Sequence, residues 1–173
     1  MVTSLTLTLA VLLARQEQPD FFTPPKELDN IRYMIGNWTA EGTGMGMDGN
    51  PVKMTGKATC KLSMGRWIEW DSVDTMPGFG EIRGKLMVTY HTEKKMWEGI
   101  WFDNFSAQSL RSYSELKGSD LVFISDPMTG MDGNPTQYRI SFLKENDKKM
   151  NMKVEFKVGD DYMSAMQYVL TKQ

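Results

Sequence analysis

The sequence has a single cysteine, Cys60, and a single histidine, His91, among its 173 residues. One cysteine excludes an internal disulfide, a Cys-x-x-Cys redox pair and a multi-cysteine zinc site. One histidine rules out a His-rich metal centre and leaves a His-based triad with one candidate base. Because no histidine follows His91, the C-terminal half has no histidine ligand for haem, and no cofactor is predicted.

An excess of either charge is also missing, since 20 basic and 22 acidic residues give a net charge of −2 and a pI near 5.5. Such a chain has no global field that attracts nucleic acid or anionic lipid, so neither is a predicted partner. With 40% hydrophobic and 24% charged residues, the composition is typical of one soluble globular domain. At this length a core can form without disulfides or a structural metal.

The common catalytic motifs are absent too. There is no Gly-x-Ser-x-Gly elbow, His-Glu-x-x-His helix, Walker A loop or Gly-x-Gly-x-x-Gly turn that opens a helix. Gly42, Gly44 and Gly46 do alternate in a predicted strand, on the face that carries Trp38. These glycines indicate either sharp barrel curvature or room for a ligand.

The N-terminal run Leu5–Ala14 is apolar, as long as a signal-peptide core and too short to span a bilayer. We interpret residues 1–20 as a signal peptide and linker, and a buried N-terminal strand is the alternative. No later run reaches spanning length, so stable membrane insertion is not expected. The predicted location is therefore periplasmic or secreted.

Residues 24–36 are predicted to form a short amphipathic helix at the start of a single domain over residues 21–173. Thr23 is a candidate N-cap, two prolines suit the first turn, and Gly36 suits the C-terminal stop. One face of this helix is apolar and is expected to pack on an apolar surface. The residues of that face are Leu28, Ile31 and Ile35.

Residues 37–172 are predicted to form about nine or ten antiparallel strands. The clearest is Lys149–Val158, where apolar and polar residues alternate as in a strand with one buried face. No helix-length segment intervenes, which excludes a parallel sheet, and closure would remove exposed edges. The predicted fold is therefore all-β, an up-and-down barrel with the helix closing one end. Met-Asp-Gly-Asn-Pro occurs at Met47–Pro51 and Met131–Pro135, which we interpret as one turn type used twice.

The helix followed by Gly36-Asn37-Trp38 resembles the opening of lipocalin-like (calycin) barrels, in which helix and Trp close one end. Further motifs follow in a fixed order along the chain. They are Met64-Gly65-Arg66-Trp67-Ile68, Gly80-Glu81-Ile82-Arg83-Gly84, Thr89-Tyr90 before Lys94-Lys95-Met96-Trp97, Trp101-Phe102-Asp103-Asn104 and Met166-Gln167-Tyr168. This series, within residues 28–172, resembles the bacterial, often exported family known as domain of unknown function 1579. The resemblance implies a lipocalin-like barrel and no established reaction.

Two positions depart from that family pattern. Tyr90-His91 stands where the family usually has Tyr-Asp, and Thr171-Lys172 stands where an Arg commonly ends the last strand. The resemblance therefore does not extend to the Arg that lipocalin-like barrels pack over the first Trp.

Fifteen methionines and five tryptophans give the predicted interior a soft and aromatic character. A small barrel holds about one small ligand, so the leading hypothesis is binding of a small hydrophobic or amphipathic molecule inside the barrel. Most of the candidate residues are expected to line the barrel, and Arg139 is a candidate for holding a ligand carboxylate. The full set is Trp38, Trp67, Leu86, Trp101, Tyr138, Arg139, Phe156 and Tyr168.

Three alternatives stay open. The protein could be a ligand-free structural or interaction module whose soft residues fill the barrel. Met45-Gly46-Met47 and Met150-Asn151-Met152 each place two thioethers on one strand face, a pattern that could select Cu(I). An enzyme is the third alternative, in which Glu69 or Asp103 lies inside the barrel and desolvation makes it a general acid.

Overall fold

The computed structural model describes residues 23–130 and 133–173, so the predicted signal peptide lies outside the described residues. Within these ranges one short helix precedes thirteen strands. The strands are β1 (Gly36–Met45), β2 (Pro51–Ser63), β3 (Trp67–Met76), β4 (Gly80–His91), β5 (Met96–Asp103), β6 (Leu110–Ser114), β7 (Leu116–Lys117), β8 (Asp120–Ser125), β9 (Met128–Thr129), β10 (Pro135–Thr136), β11 (Tyr138–Asn146), β12 (Lys149–Val158) and β13 (Asp161–Lys172).

Ten of these strands form a closed antiparallel barrel. Strands β1 to β6 pair in chain order, β8 follows β6, and β11 to β13 pair in chain order. Two further pairings close the ring, β13 with β1 and β8 with β11. The short β7 pairs with β8, and β9 and β10 form a separate hairpin. The predicted all-β antiparallel up-and-down barrel is therefore confirmed.

The helix spans Lys26–Met34 and is a 3-10 helix. Because a 3-10 helix has three residues per turn, its buried face repeats at every third residue. The face predicted from α-helical spacing ended at Ile35, which is instead extended and only half-buried. The buried face comprises Leu28, Ile31 and Met34.

Both ends of the helix differ from the predicted bounds. Pro25 occupies the N-cap position and no side chain caps the helix, so Thr23 does not have the predicted role. Gly36 is not the helix stop but the first residue of β1, with a φ of 141°. A Cβ at Gly36 would lie 2.5 Å from Cε of Lys172, so a side chain there would displace that lysine.

Contacts of the helix hold it across the end of the barrel where β1 begins and β13 ends. The indole Nε1 of Trp38 donates to the backbone oxygen of Met34 at 2.8 Å. Lys172 Nζ donates to the backbone oxygen of Tyr33 at 2.9 Å and lies 5.4 Å from the centre of the Trp38 ring. Lys172 thus provides a cation over Trp38 in a chain that lacks the Arg expected from the resemblance.

Large side chains fill the barrel beside the helix, which we call the proximal half of the lumen. The ring centres of Trp38 and Trp70 are 6.2 Å apart, and those of Trp70 and Phe142 are 5.9 Å apart. Over the described chain as a whole, the other largest side chains with almost no exposure are Trp97, Phe123, Ile31, Met34, Met54, Ile68, Leu86, Leu121 and Met150.

The repeated pentapeptide forms the same turn twice, as predicted. Both copies follow a glycine, Gly46 in one and Gly130 in the other, whose N–H donates to the backbone oxygen four residues later. In each copy the glycine three residues further on donates back to that first glycine, and its φ is close to 80°. The same pair of backbone hydrogen bonds therefore occurs between β1 and β2 and between β9 and β10.

We expect Lys172→Met to lower the free energy of unfolding by about 1–3 kcal/mol, because it removes a charged hydrogen bond and a cation over an indole. Urea titrations followed by tryptophan fluorescence would measure the change. Lys172→Arg should retain most of the stability, and Lys53→Met, at an exposed position of β2, serves as the control. Equal effects of Lys172→Met and Lys53→Met would contradict the assigned role.

Candidate functional site

The barrel half opposite the helix contains an unusual set of polar side chains. We call its inner face the distal half of the lumen, and it includes residues from all ten barrel strands. These are Gly42, Gly44, Met54, Gly56, Ser72, Asp74, Met76, Ile82, Gly84, Trp101, Asp103, Leu110, Ser112, Ser125, Tyr138, Val154, Phe156, Met166 and Tyr168.

Six of the eight residues predicted to line the barrel lie on its inner face. Four of them, which are aromatic, belong to the distal half: Trp101, Tyr138, Phe156 and Tyr168. Leu86 lies at mid-barrel, between Trp70 of β3 and Trp101 of β5, and Trp38 packs beside the helix. The structure thus brings the aromatic members together around one part of the lumen.

Trp67 and Arg139 lie on the outer face instead. Ile68 and Trp70 are buried, and strict alternation along β3 therefore turns Trp67 outward. Arg139 pairs with Glu155 through two hydrogen bonds of 2.7 and 2.9 Å, and its guanidinium lies 4.2 Å from the ring centre of Tyr162. Neither side chain faces the lumen.

Glu69 also lies on the outer face, where it is only 9% exposed. Its carboxylate accepts a hydrogen bond of 2.5 Å from Lys85 and lies 3.3 Å from Lys61. The Lys85 ammonium, with help from Ser63, holds the pKa of Glu69 at about 2. This carboxylate is ionised and paired outside the barrel, so it is not the interior general acid considered above.

Asp103 faces inward beside an indole, at the end of β5. The Trp101 indole Nε1 donates to Asp103 Oδ2 at 2.7 Å, and the N–H groups of Phe105 and Ser106 donate to Oδ1 at 2.9 and 2.5 Å. The Trp101 ring covers Gly84, where a Cβ would overlap it. Asp103 is therefore a well-satisfied structural acceptor.

Asp74 is an inner-facing carboxyl that the sequence analysis missed. It lies on β3 in phase with the buried Trp70 and Met76, and its Oδ1 occupies the space that a Cβ on Gly56 would need. Burial raises the pKa of the Asp74 carboxyl, and the nearby hydroxyls of Ser72 and Tyr168 offset only part of the rise. Every second residue of a strand faces the same side, so counting in twos from the buried Trp70 would have placed Asp74 on the inner face.

Two hydroxyl groups accompany Asp74. Ser72 is 8% exposed, and its Oγ is buried without a well-formed hydrogen bond to any residue that the structure describes. The Tyr168 hydroxyl lies 3.6 Å from the Met54 sulfur, and burial together with the Asp74 carboxylate raises the pKa of that hydroxyl. The cluster is therefore polar, with Ser72 and Tyr168 buried and Asp74 half-buried, and its Ser72 hydroxyl lacks a well-formed hydrogen bond.

Charge is unevenly distributed along the inner face. The distal half, as defined above, contains the carboxyls of Asp74 and Asp103 and no Lys, Arg or His. Two inward lysines occupy the opposite end. Lys144 lies 4.7 Å from the ring centre of Tyr33, and Lys172 lies over Trp38.

The thioether pairs considered for copper are placed differently from one another. Met45 alternates with the buried Gly44 and Gly46 and so faces outward, and Met47 is exposed in the following turn. Met150 and Met152 are buried in the core. Among the described residues, no group of three or more His, Cys, Asp or Glu side chains is arranged to hold a metal ion.

Two depressions formed by the described residues lie outside the lumen. One, of about 280 Å³, lies between the helix and Leu62 and Ile68. The other, of about 350 Å³, lies on the outer face of β3 to β5 beside Val73 and Phe102. In the distal half, Met54 and Met76 fill the space beside Gly44. No helix within the described ranges has the length and apolar character needed to cross a membrane.

We expect Asp74→Asn to stabilise the protein more at pH 8 than at pH 3. The folded state holds its Asp74 proton above the ordinary pKa of 3.8, so the free energy of unfolding of the wild type falls as pH rises through that window. The Asp74→Asn variant has no carboxyl to ionise at this position, so its free energy of unfolding does not fall for this reason. Urea titrations at a series of pH values would measure it, with Asp126→Asn reporting the effect of overall charge. A constant difference between variant and wild type would contradict the expectation.

Gly56→Ala should lower the free energy of unfolding by about 1–3 kcal/mol, because the new methyl group displaces the Asp74 carboxyl. The loss should be much smaller when Asp74 is already alanine, with a coupling of about 1 kcal/mol or more between the two sites. Denaturant titrations of both single variants and the double variant would measure this coupling. Additive effects would show that the two residues do not share this space.

Comparison with known proteins addresses family and fold. No curated protein matches the chain. Among solved structures, the crystal structure of Rv2717c from M. tuberculosis is similar, with a TM-score of 0.55 and 13% sequence identity. The alignment covers 87% of this chain and 99% of that chain, and at this identity it supports the fold alone. Residues 23–172 match a family described as a protein of unknown function. The chain therefore belongs to the DUF1579 family.

Proposed function

We propose that this protein binds a small hydrophobic or amphipathic molecule in the distal half of its lumen. The observation that carries the proposal is the polar cluster of Asp74, Ser72 and Tyr168, whose Ser72 hydroxyl lacks a well-formed hydrogen bond, among the aromatic and thioether groups of the distal half. Asp74 and Tyr168 would be the polar anchors of the ligand. Trp101 and the thioethers of Met54 and Met76 would contact its apolar part.

The energetic argument starts from the cost of buried polar groups. A buried hydroxyl without a partner costs about 1–3 kcal/mol, and a buried carboxyl without a cation is also unfavourable. Natural proteins satisfy nearly all such groups, and exceptions are concentrated where function requires them. A ligand that hydrogen-bonds to Ser72 or Asp74 would remove this cost.

The side chains that fill the distal half are suited to rearrangement. Met54 and Met76 occupy the space beside Gly44, and methionine has three rotatable bonds that let it adapt to an irregular neighbour. Barrel diameter grows with strand number, and eight strands already leave room for side chains or one small ligand. A barrel of ten strands has a larger interior volume, which can contain its own side chains and a small ligand.

A second candidate function is a ligand-free structural or interaction module. The observation in its favour is that Met54 and Met76 fill the space beside Gly44, and that two depressions of the described surface lie outside the lumen. On this hypothesis the side chains of the methionines and Trp101 always occupy the lumen, and no ligand replaces them. The two candidates differ in whether a small apolar molecule can enter.

We also propose export to the periplasm or the extracellular space. The apolar run Leu5–Ala14 supports this location. The resemblance to lipocalin-like barrels, with a helix and Trp38 at one end, supports a carrier or binding role in that compartment.

We expect 8-bromo-octanol, a neutral amphipathic probe whose bromine quenches indoles on contact, to quench the tryptophan fluorescence saturably. Trp101 is the indole of the distal half, and Trp67 lies on the outer face. Trp101→Phe should therefore remove most of the quenching, and the control Trp67→Phe should retain it. Native mass spectrometry of the same samples would give the stoichiometry, which we expect to be one.

The outcomes separate the two candidates. Saturable quenching that depends on Trp101 supports the ligand-binding function. Quenching that survives Trp101→Phe and disappears in Trp67→Phe would place the probe on the outer face and contradict the proposal. No saturable quenching in any variant would favour the ligand-free module.

A further inference from the structure

We propose that the ligand is a small organic cation with an apolar body, and that the Asp74 carboxylate is its counter-ion. This inference rests on the proposed function and specifies the ligand class for the same lumen. Three features of the distal half lead to it: its charge, the Ser72 hydroxyl, which lacks a well-formed hydrogen bond, and its aromatic rings.

The charge of the distal half is entirely negative. Its defined residues include two carboxyls and no basic side chain, and both inward lysines of the described barrel lie at the helix end. Asp103 already accepts hydrogen bonds from an indole and two backbone N–H groups. The side chains that act on the Asp74 carboxyl are the hydroxyls of Ser72 and Tyr168, and no Lys, Arg or His is among them. A half-buried carboxylate in this state is complementary to a cation.

The Ser72 hydroxyl is the second feature, and it points to a hydrogen-bonding guest. Ser72 lies two residues before Asp74 on β3, so both side chains face the lumen. Its Oγ has no well-formed partner in the described chain although the residue is only 8% exposed. An ammonium group has several N–H donors, so one head group could satisfy the Ser72 oxygen and the Asp74 carboxylate together.

Aromatic rings are the third feature. Trp101, Tyr138, Phe156 and Tyr168 all belong to the distal half. Indole and phenol faces attract cations, and the attraction is stronger when the ion is shielded from water. The same rings offer an anion no such attraction, and two carboxyls would repel it. The lumen therefore favours a cation over a neutral or anionic molecule of the same size.

Binding of such a cation should depend on pH. The titratable groups that share the distal half with Asp74 are Tyr168 on β13, Asp103 on β5 and Tyr138 on β11. The distal inner residues of β1, β2, β4, β6, β8 and β12 include no titratable side chain. Burial raises the pKa of Asp74, so acidification protonates this carboxyl, removes the counter-ion and weakens binding.

The test compares three probes that have the same eight-carbon chain: octylammonium, octanol and octanoate. Tryptophan fluorescence titrations with the full chain at pH 8 give their dissociation constants. We expect octylammonium to bind about tenfold or more tightly than octanol, the scale of a charged hydrogen bond, and octanoate to bind most weakly. Asp74→Asn, which keeps the shape of the side chain, should bring octylammonium to the affinity of octanol.

Two controls guard against trivial explanations. Asp126→Asn removes an exposed carboxyl at the end of β8 and should leave the ammonium preference intact. The wild type titrated from pH 8 toward pH 4 should lose the preference with no mutation at all, because the alkylammonium stays charged throughout this range.

Each outcome has one meaning. Loss of the ammonium preference in Asp74→Asn and at low pH supports the inference. Saturable octanol binding without any ammonium preference overturns the inference and leaves the proposed function intact. An ammonium preference that Asp126→Asn abolishes and Asp74→Asn does not also overturns it. No saturable binding of any probe overturns both.

Discussion

The pairing of the last strand with the first is the constraint on which the rest of this structure depends. β13 pairs with β1 from Met166 to Lys172, and Lys172 binds the helix backbone and covers the Trp38 ring. Trp38 in turn binds the last residue of the helix. One cation therefore connects the closing strand, the opening strand and the helix that covers the barrel end, and Gly36 provides the space for its stem.

Once one end is sealed in this way, the two halves of the lumen can serve different purposes. The proximal half contains Trp38, Trp70 and Phe142, whose rings are in contact. These packed aromatic side chains stabilise the fold. The distal half has glycines where large residues could stand, and methionines and a half-buried carboxyl occupy that space. The inner-facing carboxyls therefore lie at the end away from the helix, and the inner-facing lysines lie beside it.

Much of the fold was predictable from the sequence because strand periodicity is a local property. The alternation of Lys149–Val158 matches the buried face of β12, and the two Met-Asp-Gly-Asn-Pro copies form one turn type. The helix was assigned the wrong period, since a segment this short can tighten to three residues per turn when tertiary contacts favour it. Its end at Gly36 was also wrong because that glycine serves a contact with a residue far along the chain.

The candidate site was less predictable because it depends on strand phase. Large apolar residues occur on both faces of β3, with Trp67 on one face and Ile68 and Trp70 on the other. The local sequence therefore does not decide which face is turned inward. Choosing the phase of Trp67 brought Glu69 into consideration and hid Asp74. The contact of Tyr168 with Met54 links residues on strands that are not sequence neighbours, so no local pattern could indicate it.

The closing seam also governs when the molecule can form during synthesis. Thr39 of β1 donates a hydrogen bond to the backbone oxygen of Thr171, a partner 132 residues away, so β1 is synthesised well before β13 and has one edge unpaired until then. Until β13 emerges, that edge is available to other chains. The polar outer face of β1 and β2, with Glu41, Lys53 and Lys57 exposed, is therefore a safeguard for the nascent chain as well as a wet surface for the finished barrel.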